Sequence, residues 1–168
     1  MHPDTYASFI KQLTICTYTH RASSIWKHDN RKFGPQNALD ISSDAAWKSA
    51  PSEESDPLAY YEIYFNRPVI VHKMNIQFQG GFVGMDCIVH RKKHNTNTTS
   101  DNNEDDWEEF EELYLDTTDT TDVQTFPVDD DTNEQPCTAL RIDFGRSNDF
   151  YGRIIIYSLE VWGLEVDT

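Results

Sequence analysis

The sequence predicts an all-β sandwich. Three observations carry that expectation. Apolar and polar residues alternate in several short runs, which is the period of a half-buried strand. No long run has convincing helical spacing. The clearest run, Ile76-Gln77-Phe78-Gln79, leads into Gly80-Gly81-Phe82. Paired glycines permit positive φ, so the strand is expected to end at a tight backbone feature. Many short strands without a long helix favour a sandwich or barrel.

Taken in order, residues 1–19 give an N-terminal extension or first strand. Phe9, Ile10 and Leu13 have helical spacing, while 13–18 reads equally well as a strand. Ser23 to Gln36 is polar and turn-rich, with Gly34-Pro35 as a breaker. Asn37-Ala38-Leu39-Asp40 and then Ala46-Trp47 read as a turn leading to a buried aromatic. Ser49 to Pro57 is a loop by composition. Tyr60 to Phe65 places Tyr61, Ile63 and Phe65 on one face. Asn66-Arg67-Pro68 reads as a turn into a strand over Val69 to Phe78, so these two strands are expected to pair as an antiparallel hairpin. Met85 to Val89 is the next strand. The stretch from His94 to Asp106 is rich in Asn, Thr, Ser and acids, and buries too little apolar area to order itself. Glu109 to Leu115, Val123 to Val128 and Ala139 to Phe144 follow as strands. Arg153 to Trp162 is the strongest, with Ile155, Tyr157, Leu159 and Val161 on one face and Ile154 and Ile156 on the other.

The chain has 168 residues, enough for one domain with a self-sufficient core. Its formal net charge is −15, from 29 acids and 14 bases. Between Asp101 and Glu134 lie 15 acidic residues and no Lys or Arg, which leaves 29 − 15 = 14 acids against 14 bases elsewhere. The body is therefore formally neutral, and an acidic, flexible insertion at about 94–122 carries much of the excess. Such a block repels nucleic-acid phosphates and anionic membranes and suits a basic partner surface. Neither direct nucleic-acid binding nor membrane binding is expected. Cys16, Cys87 and Cys137 make an odd number. With no basic leader followed by an apolar run, and no stretch near the ~20 residues that span a bilayer, the reading is an unsecreted protein with free thiols. Asn97-Thr98-Thr99 matches a glycosylation acceptor but reads as a polar loop.

Chemistry-bearing constellations are sparse. Cys87, His90 and His94 offer three local ligands where a closed zinc site needs four, with Arg91-Lys92-Lys93 adding positive charge. Cys87 is read instead as buried beside a short basic turn, 90–94. Asp129-Asp130-Asp131 lacks the spacing of a calcium loop and reads as a solvated turn. Nucleophile elbow, phosphate loop and HExxH motif are all missing, and the paired carboxylates fall in the acidic insertion. An enzyme is not expected, nor any cofactor or metal.

Ser23-Ser24, Ala38-Leu39-Asp40, Trp47, Gln77 to Phe82 and a closing strand ending at Gly163 occur in the order of the discoidin (factor V/VIII C-type) family. Residues 20–165 resemble that domain. Arg31-Lys32-Phe33-Gly34, Ile76 to Phe82, Gln124-Thr125-Phe126-Pro127 and Asp149 to Tyr157 narrow the resemblance to a small intracellular branch associated with an orphan nuclear receptor. The resemblance implies a discoidin-like (galactose-binding-like) jelly-roll β-sandwich. Extracellular members clamp their ends with a disulfide, whereas here no cysteine follows Cys137.

By resemblance, ligand recognition uses loops at one end of the sandwich. The candidate partner-binding residues are Trp26, Arg31 and Phe33, with Lys27 and His28 beside them, then Phe82, then Phe150, Tyr151 and Arg153. Trp47 is read as core, Phe82 as core or loop tip, and at least one of Phe150 and Tyr151 as packed. Arg153 is read as pairing with Asp149 or capping the sheet. The resemblance implies a monomeric nuclear or cytoplasmic adaptor that binds an orphan nuclear receptor and represses its transcriptional activity. The chain has no LxxLL motif, so such a contact would need a folded surface. The alternatives are a carbohydrate- or lipid-binding module and a structural subunit of an intracellular complex.

Overall fold

The computed structural model describes residues 10–13, 19–40, 42, 44–52, 55–95, 106–118, 120–128 and 135–167. Among these, strands β1 (Lys11–Gln12) and β2 (Thr19–Ala22) precede a 3-10 turn at Trp26–His28 and two single-turn helices, α1 (Asn30–Phe33) and α2 (Gln36–Leu39). Then come β3 (Trp47–Lys48), β4 (Ala59–Phe78), β5 (Gly84–Lys93), β6 (Glu108–Leu113), β7 (Val123–Pro127), β8 (Cys137–Ser147) and β9 (Ile155–Glu165). Hydrogen bonds join β1, β9, β4, β8, β5 and β6 in that order, with β2 and β7 alongside β4 and β3 alongside β9. Every pairing is antiparallel. The protein is a discoidin-like jelly-roll sandwich, as its sequence led one to expect.

The hairpin expected around Asn66-Arg67-Pro68 does not form. One strand of 20 residues, β4, runs through that segment. Its first half, Ala59–Tyr64, pairs with β8, and its second half, Val69–Phe78, pairs with β9 and β7. One continuous nine-stranded sheet therefore folds over at β4, whose two halves have different neighbours. Asn66 takes φ 57°, which bends the chain without reversing it, and Pro68 sits where the β8 register breaks. A proline has no N–H for a ladder, so such a break is where it is tolerated. Arg67 pins the corner: Nη1 donates to the Phe65 carbonyl at 2.8 Å, Nη2 to that of Leu13 at 3.2 Å, and Nε reaches Glu165 at 2.6 Å.

Two further irregularities shift the inward face. His72 is an extra residue between the Val71–Gly163 and Lys73–Trp162 pairs, so the core side passes from Val71 to Met74. Tyr157 is an extra residue on β9, between Ile156 opposite Phe78 and Ser158 opposite Gln77. The expected single face through Ile155, Tyr157, Leu159 and Val161 is thus corrected. Ile154 and Ile156 point inward first, and Leu159 and Val161 take over beyond the bulge, while Tyr157 is half-buried. A bulge of one residue exchanges the two faces of a strand.

The basic run 90–94 is also corrected, because β5 extends to Lys93. Arg91 is only 8% exposed and bonds Glu108 at 2.7 Å. The glutamates of β6 lie opposite this half of β5 and make a basic strand tenable. The 94–122 segment therefore contains an ordered strand, while its residues 96–105 and 119 lie outside the described residues. Asp129-Asp130-Asp131, Asn97 and Cys16 also fall outside them.

The core is aromatic at one end. Trp47 is fully buried, 5.3 Å from Tyr61 and 6.5 Å from Phe144, and Phe144 lies 6.1 Å from Phe78. Burying a large apolar side chain of this size contributes roughly 1.5–3 kcal/mol. Ala59 pairs with Phe144, while Phe78 touches the same ring, so both ends of β4 return to this end of the sandwich. The loops that carry the candidate residues gather over it.

Candidate functional site

The loop after β2 is fixed by two serines. Ser23 Oγ accepts from Tyr60 N at 2.9 Å, and Ser24 Oγ accepts from Ala50 N at 3.0 Å. The buried Trp47 indole donates to the Ser24 carbonyl at 3.0 Å. Trp26 follows on the 3-10 turn, and Lys27 and His28 both adopt left-handed backbone, φ 54° and 56°. Non-glycine residues held there cost on the order of 1–3 kcal/mol each, and such strain concentrates at binding sites. Asp29 then caps α1 by accepting from Lys32 N at 3.1 Å, which brings Phe33 back toward Trp26, ring centroids 6.2 Å apart.

The glycine pair does what its composition led one to expect. Gly81 takes φ 84°, and Phe82 N donates to the Gln79 carbonyl at 3.0 Å, closing a tight turn. Phe82 is half-buried. On the opposing loop, Asp149 accepts from Arg153 three times, from its backbone N at 3.1 Å, its Nε at 2.8 Å and its Nη2 at 3.1 Å. Hydrogen bonding from the Arg153 side chain, ahead of the opposing effect of burial, holds the Asp149 carboxyl below its usual range. Gly152, at φ 70°, allows the turn to close against Ser52, whose carbonyl would lie 1.9 Å from an added Cβ.

These loops converge on one cluster. The Arg153 guanidinium lies 5.1 Å from the Trp26 ring centre, 5.1 Å from Phe82 and 5.3 Å from Tyr151. Lys48 Nζ lies 4.3 Å from the centre of Trp26 and 5.2 Å from that of Phe33, and Lys27 Nζ 5.8 Å from Trp26. Among the described residues, neither lysine has an acidic partner within ion-pair distance. Burial, then the neighbouring Arg153 and Lys27 charges, push the Lys48 ammonium pKa down. Phe150 and Tyr151 stand at the rim, 84% and 55% exposed and packed edge to face on each other at 5.2 Å. The expectation that at least one of them is packed is corrected, because the Gly152 turn leaves both largely outside.

Of the residues singled out from sequence, Trp26, Phe33, Phe82, Tyr151 and Arg153 come together. Phe150 joins through Tyr151, and Arg31 is exposed on α1 and is not among the cations stacked on these rings. Lys48 was missed. Its one signal is alternation after the inward-facing Trp47, and nothing in the sequence places β3 beside the start of β9, where Lys48 pairs with Ile155.

A second aromatic and cationic group lines a groove of about 440 Å³ on the outer face of β4 and β8. Arg141 stacks 3.9 Å from the Tyr60 ring centre, bonds Asp143 at 2.6 Å and reaches Glu62 at 3.5 Å. The Glu62 side chain is 5% exposed, and it also accepts from the Tyr64 hydroxyl at 2.9 Å and faces Arg21 at 3.8 Å. Lys92 lies 4.8 Å from the centre of Trp107.

The cysteine of the sequence-level zinc reading faces the core: Cys87 is 1% exposed, while His90 lies on the other face, 3.5 Å from Asp143. Cys87 and Cys137 are free and buried. Burial pushes both thiols up, that of Cys137 to about 12. Among the described residues, no helix is long and apolar enough to cross a membrane.

No protein-family model matches the chain. It is 31% identical over 150 residues to the nuclear receptor 2C2-associated protein of Danio rerio, covering 89% of this chain and 94% of that one. The Homo sapiens protein of the same name is 27% identical over 154 residues, covering 90% and 96%. Among solved structures, an F5/8 type C domain from Bacteroides fragilis superposes with a TM-score of 0.68 at 14% identity, covering 89% and 93%. A chitosan-binding module of a Paenibacillus chitosanase/glucanase gives 0.65 at 17%, covering 91% and 99%. A family 32 carbohydrate-binding module from Clostridium perfringens, solved with galactose, gives 0.63 at 14%, covering 91% and 98%. These solved structures share the fold. By sequence, the chain belongs to the nuclear receptor 2C2-associated protein family, carried on a discoidin-like jelly-roll domain.

Proposed function

We infer that the chain is a non-enzymatic, monomeric adaptor of the nucleus or cytoplasm that binds a nuclear receptor and lowers its transcriptional output. One observation carries the binding surface: Phe150 and Tyr151 stand exposed beside Trp26, Phe82 and Arg153 at the loop end. Exposed aromatics next to an arginine are the usual anchors of a protein interface. The name of the relatives supports a nuclear receptor as the partner. The acidic segment adds a mechanism, because a run of carboxylates competes with DNA phosphates for a basic receptor surface.

The test is affinity capture of the tagged chain from its native cells, read by mass spectrometry, with a reporter assay on the receptor found. Enrichment of a nuclear receptor and repression of its reporter are expected. A stable multi-subunit complex without a receptor would point to a structural subunit instead. Replacing Asp101, Glu104, Asp105 and Asp106, which lie outside β6, by Asn or Gln should weaken repression; if repression is unchanged, these acids play no part. Glycan binding is the second reading, favoured by sugar-binding modules among the fold neighbours and by the exposed Tyr151 ring. Binding of immobilised galactose or chitosan oligomers, lost in Tyr151→Ala, would establish it.

A further inference from the structure

The loop end carries more positive charge than its structure uses. Three cations, Lys27, Lys48 and Arg153, lie within 5.8 Å of the centre of the Trp26 ring. One carboxylate, Asp149, answers them, and it is committed to Arg153 by a bidentate contact at 2.8 and 3.1 Å. Lys27 and Lys48 remain without an anion among the described residues. Folding alone gains nothing from gathering like charges, since mutual repulsion opposes it. The left-handed backbone at Lys27 and His28 adds a second local cost on the same loop. The outer groove shows the contrast: there Arg141 is bonded by Asp143 and Glu62.

We propose that the loop end seats an acidic segment of the protein partner, with a carboxylate received by Lys27 and Lys48 and an adjacent apolar side chain packed on Phe150 and Tyr151. The proposal rests on the protein-binding reading above and adds the chemistry of the partner. Charge complementarity selects an anion, and the exposed aromatic pair selects an apolar neighbour within the same segment. The acidic excess of the chain lies between Asp101 and Glu134, and the other residues balance at 14 acids and 14 bases. Thr117 and Thr121 of that stretch bond Asn148 and Gly80, on the Phe82 and Asp149 side of the loop end, whereas Lys27 and Lys48 lie over Trp26. Nucleic acid is disfavoured because its many phosphates meet a chain of net charge −15, whereas a short peptide segment needs only the local lysines.

The test uses the full chain and a short fluorescein-labelled peptide of glutamates with one Phe and one Trp. A second peptide has Gln in place of every Glu, and oligothymidylate serves as the nucleic-acid probe. Anisotropy should show the Glu peptide binding at least about tenfold more tightly than the Gln peptide, with affinity falling as salt rises. Lys27→Gln with Lys48→Gln should weaken it by about tenfold or more while leaving the thermal midpoint in place. Equal binding of the two peptides, an unchanged double variant, no peptide binding, or tighter binding of oligothymidylate would each overturn the proposal. Capture of the receptor by the same double variant separates this from the broader reading. If the receptor is captured equally well by wild type and variant, the acidic-segment proposal fails and the adaptor reading stands. If no receptor is captured but peptide binding stays lysine-dependent, the adaptor reading fails and the proposal stands.

Discussion

The loop end and the outer groove are built from the same residue types and do opposite things with them. In the groove, Arg141 lies against Tyr60, and its charge is answered by Asp143 and the nearly buried Glu62, which also takes the Tyr64 hydroxyl. At the loop end, Arg153 is answered by Asp149, while Lys27 and Lys48 lie over Trp26 without an acid among the described residues. Stacking a cation on an aromatic ring is worth only about 0.5–2 kcal/mol and does not neutralise it. The difference teaches how to read aromatic and cationic clusters. Whether the charges are internally matched separates a structural network from a surface awaiting a partner.

The sharpest way to break the loop end is Gly152→Ala. A Cβ there would lie 1.9 Å from the Ser52 carbonyl at a φ of 70°. A loss of about 3 kcal/mol in denaturant unfolding is expected. The groove should break at Glu62→Ala, which leaves Arg141 half-answered and the Tyr64 hydroxyl unbonded, at a cost of about 2–3 kcal/mol. Arg153→Ala should cost about 1 kcal/mol, because it removes a charge-assisted pair and three ring contacts at a partly exposed site. If it costs as much as Glu62→Ala, the loop end is as structural as the groove. Lys48→Gln should change stability by no more than about 0.5 kcal/mol. A larger loss would mean that this lysine holds the fold together and is not a spare charge.

Titration sharpens the comparison further. Burial first, then the bond to Glu62, pushes Tyr64 from 10.0 to about 12. The folded state holds this proton more tightly, so the associated stability is present below the ordinary tyrosine value and is lost as pH climbs toward about 12. Ultraviolet absorbance titration should show Tyr64 titrating late, with the shift reduced in Glu62→Ala and the part due to burial remaining. The loop end responds at the other extreme. Asp149 is held low, so its contribution is present above the ordinary carboxylate value and fades as pH falls through its depressed one. Acid unfolding of Arg153→Ala should lack that component.

Much of the fold was legible in the sequence because strand alternation is local. The strands around Tyr61, Ile76, Ile142 and Leu159 all appear where alternation placed them. What alternation could not reveal was the corner in β4. Asn66-Arg67-Pro68 has the composition of a turn, yet the chain bends there without reversing, and Arg67 holds the bend through Leu13 and Glu165, both remote in sequence. The basic run 90–94 failed for a related reason: its charges are tolerable in a strand only opposite the glutamates of β6.

The sequence by itself determined that the protein is an all-β sandwich with a Gly-Gly turn and an acidic segment. It also supplied most of the loop residues that now stand together. Those are consequences of short-range period, glycine backbone freedom and charge count. The tertiary structure alone decided which cations are answered. Lys48 joins Trp26 because Trp47 and Ala50 bond Ser24, Arg153 joins them because β3 lies on β9, and Arg141 meets Glu62 because β8 lies on the first half of β4. Charge matching depends on contacts between strands far apart in the chain, and pairing of that kind is settled by packing rather than by any local pattern.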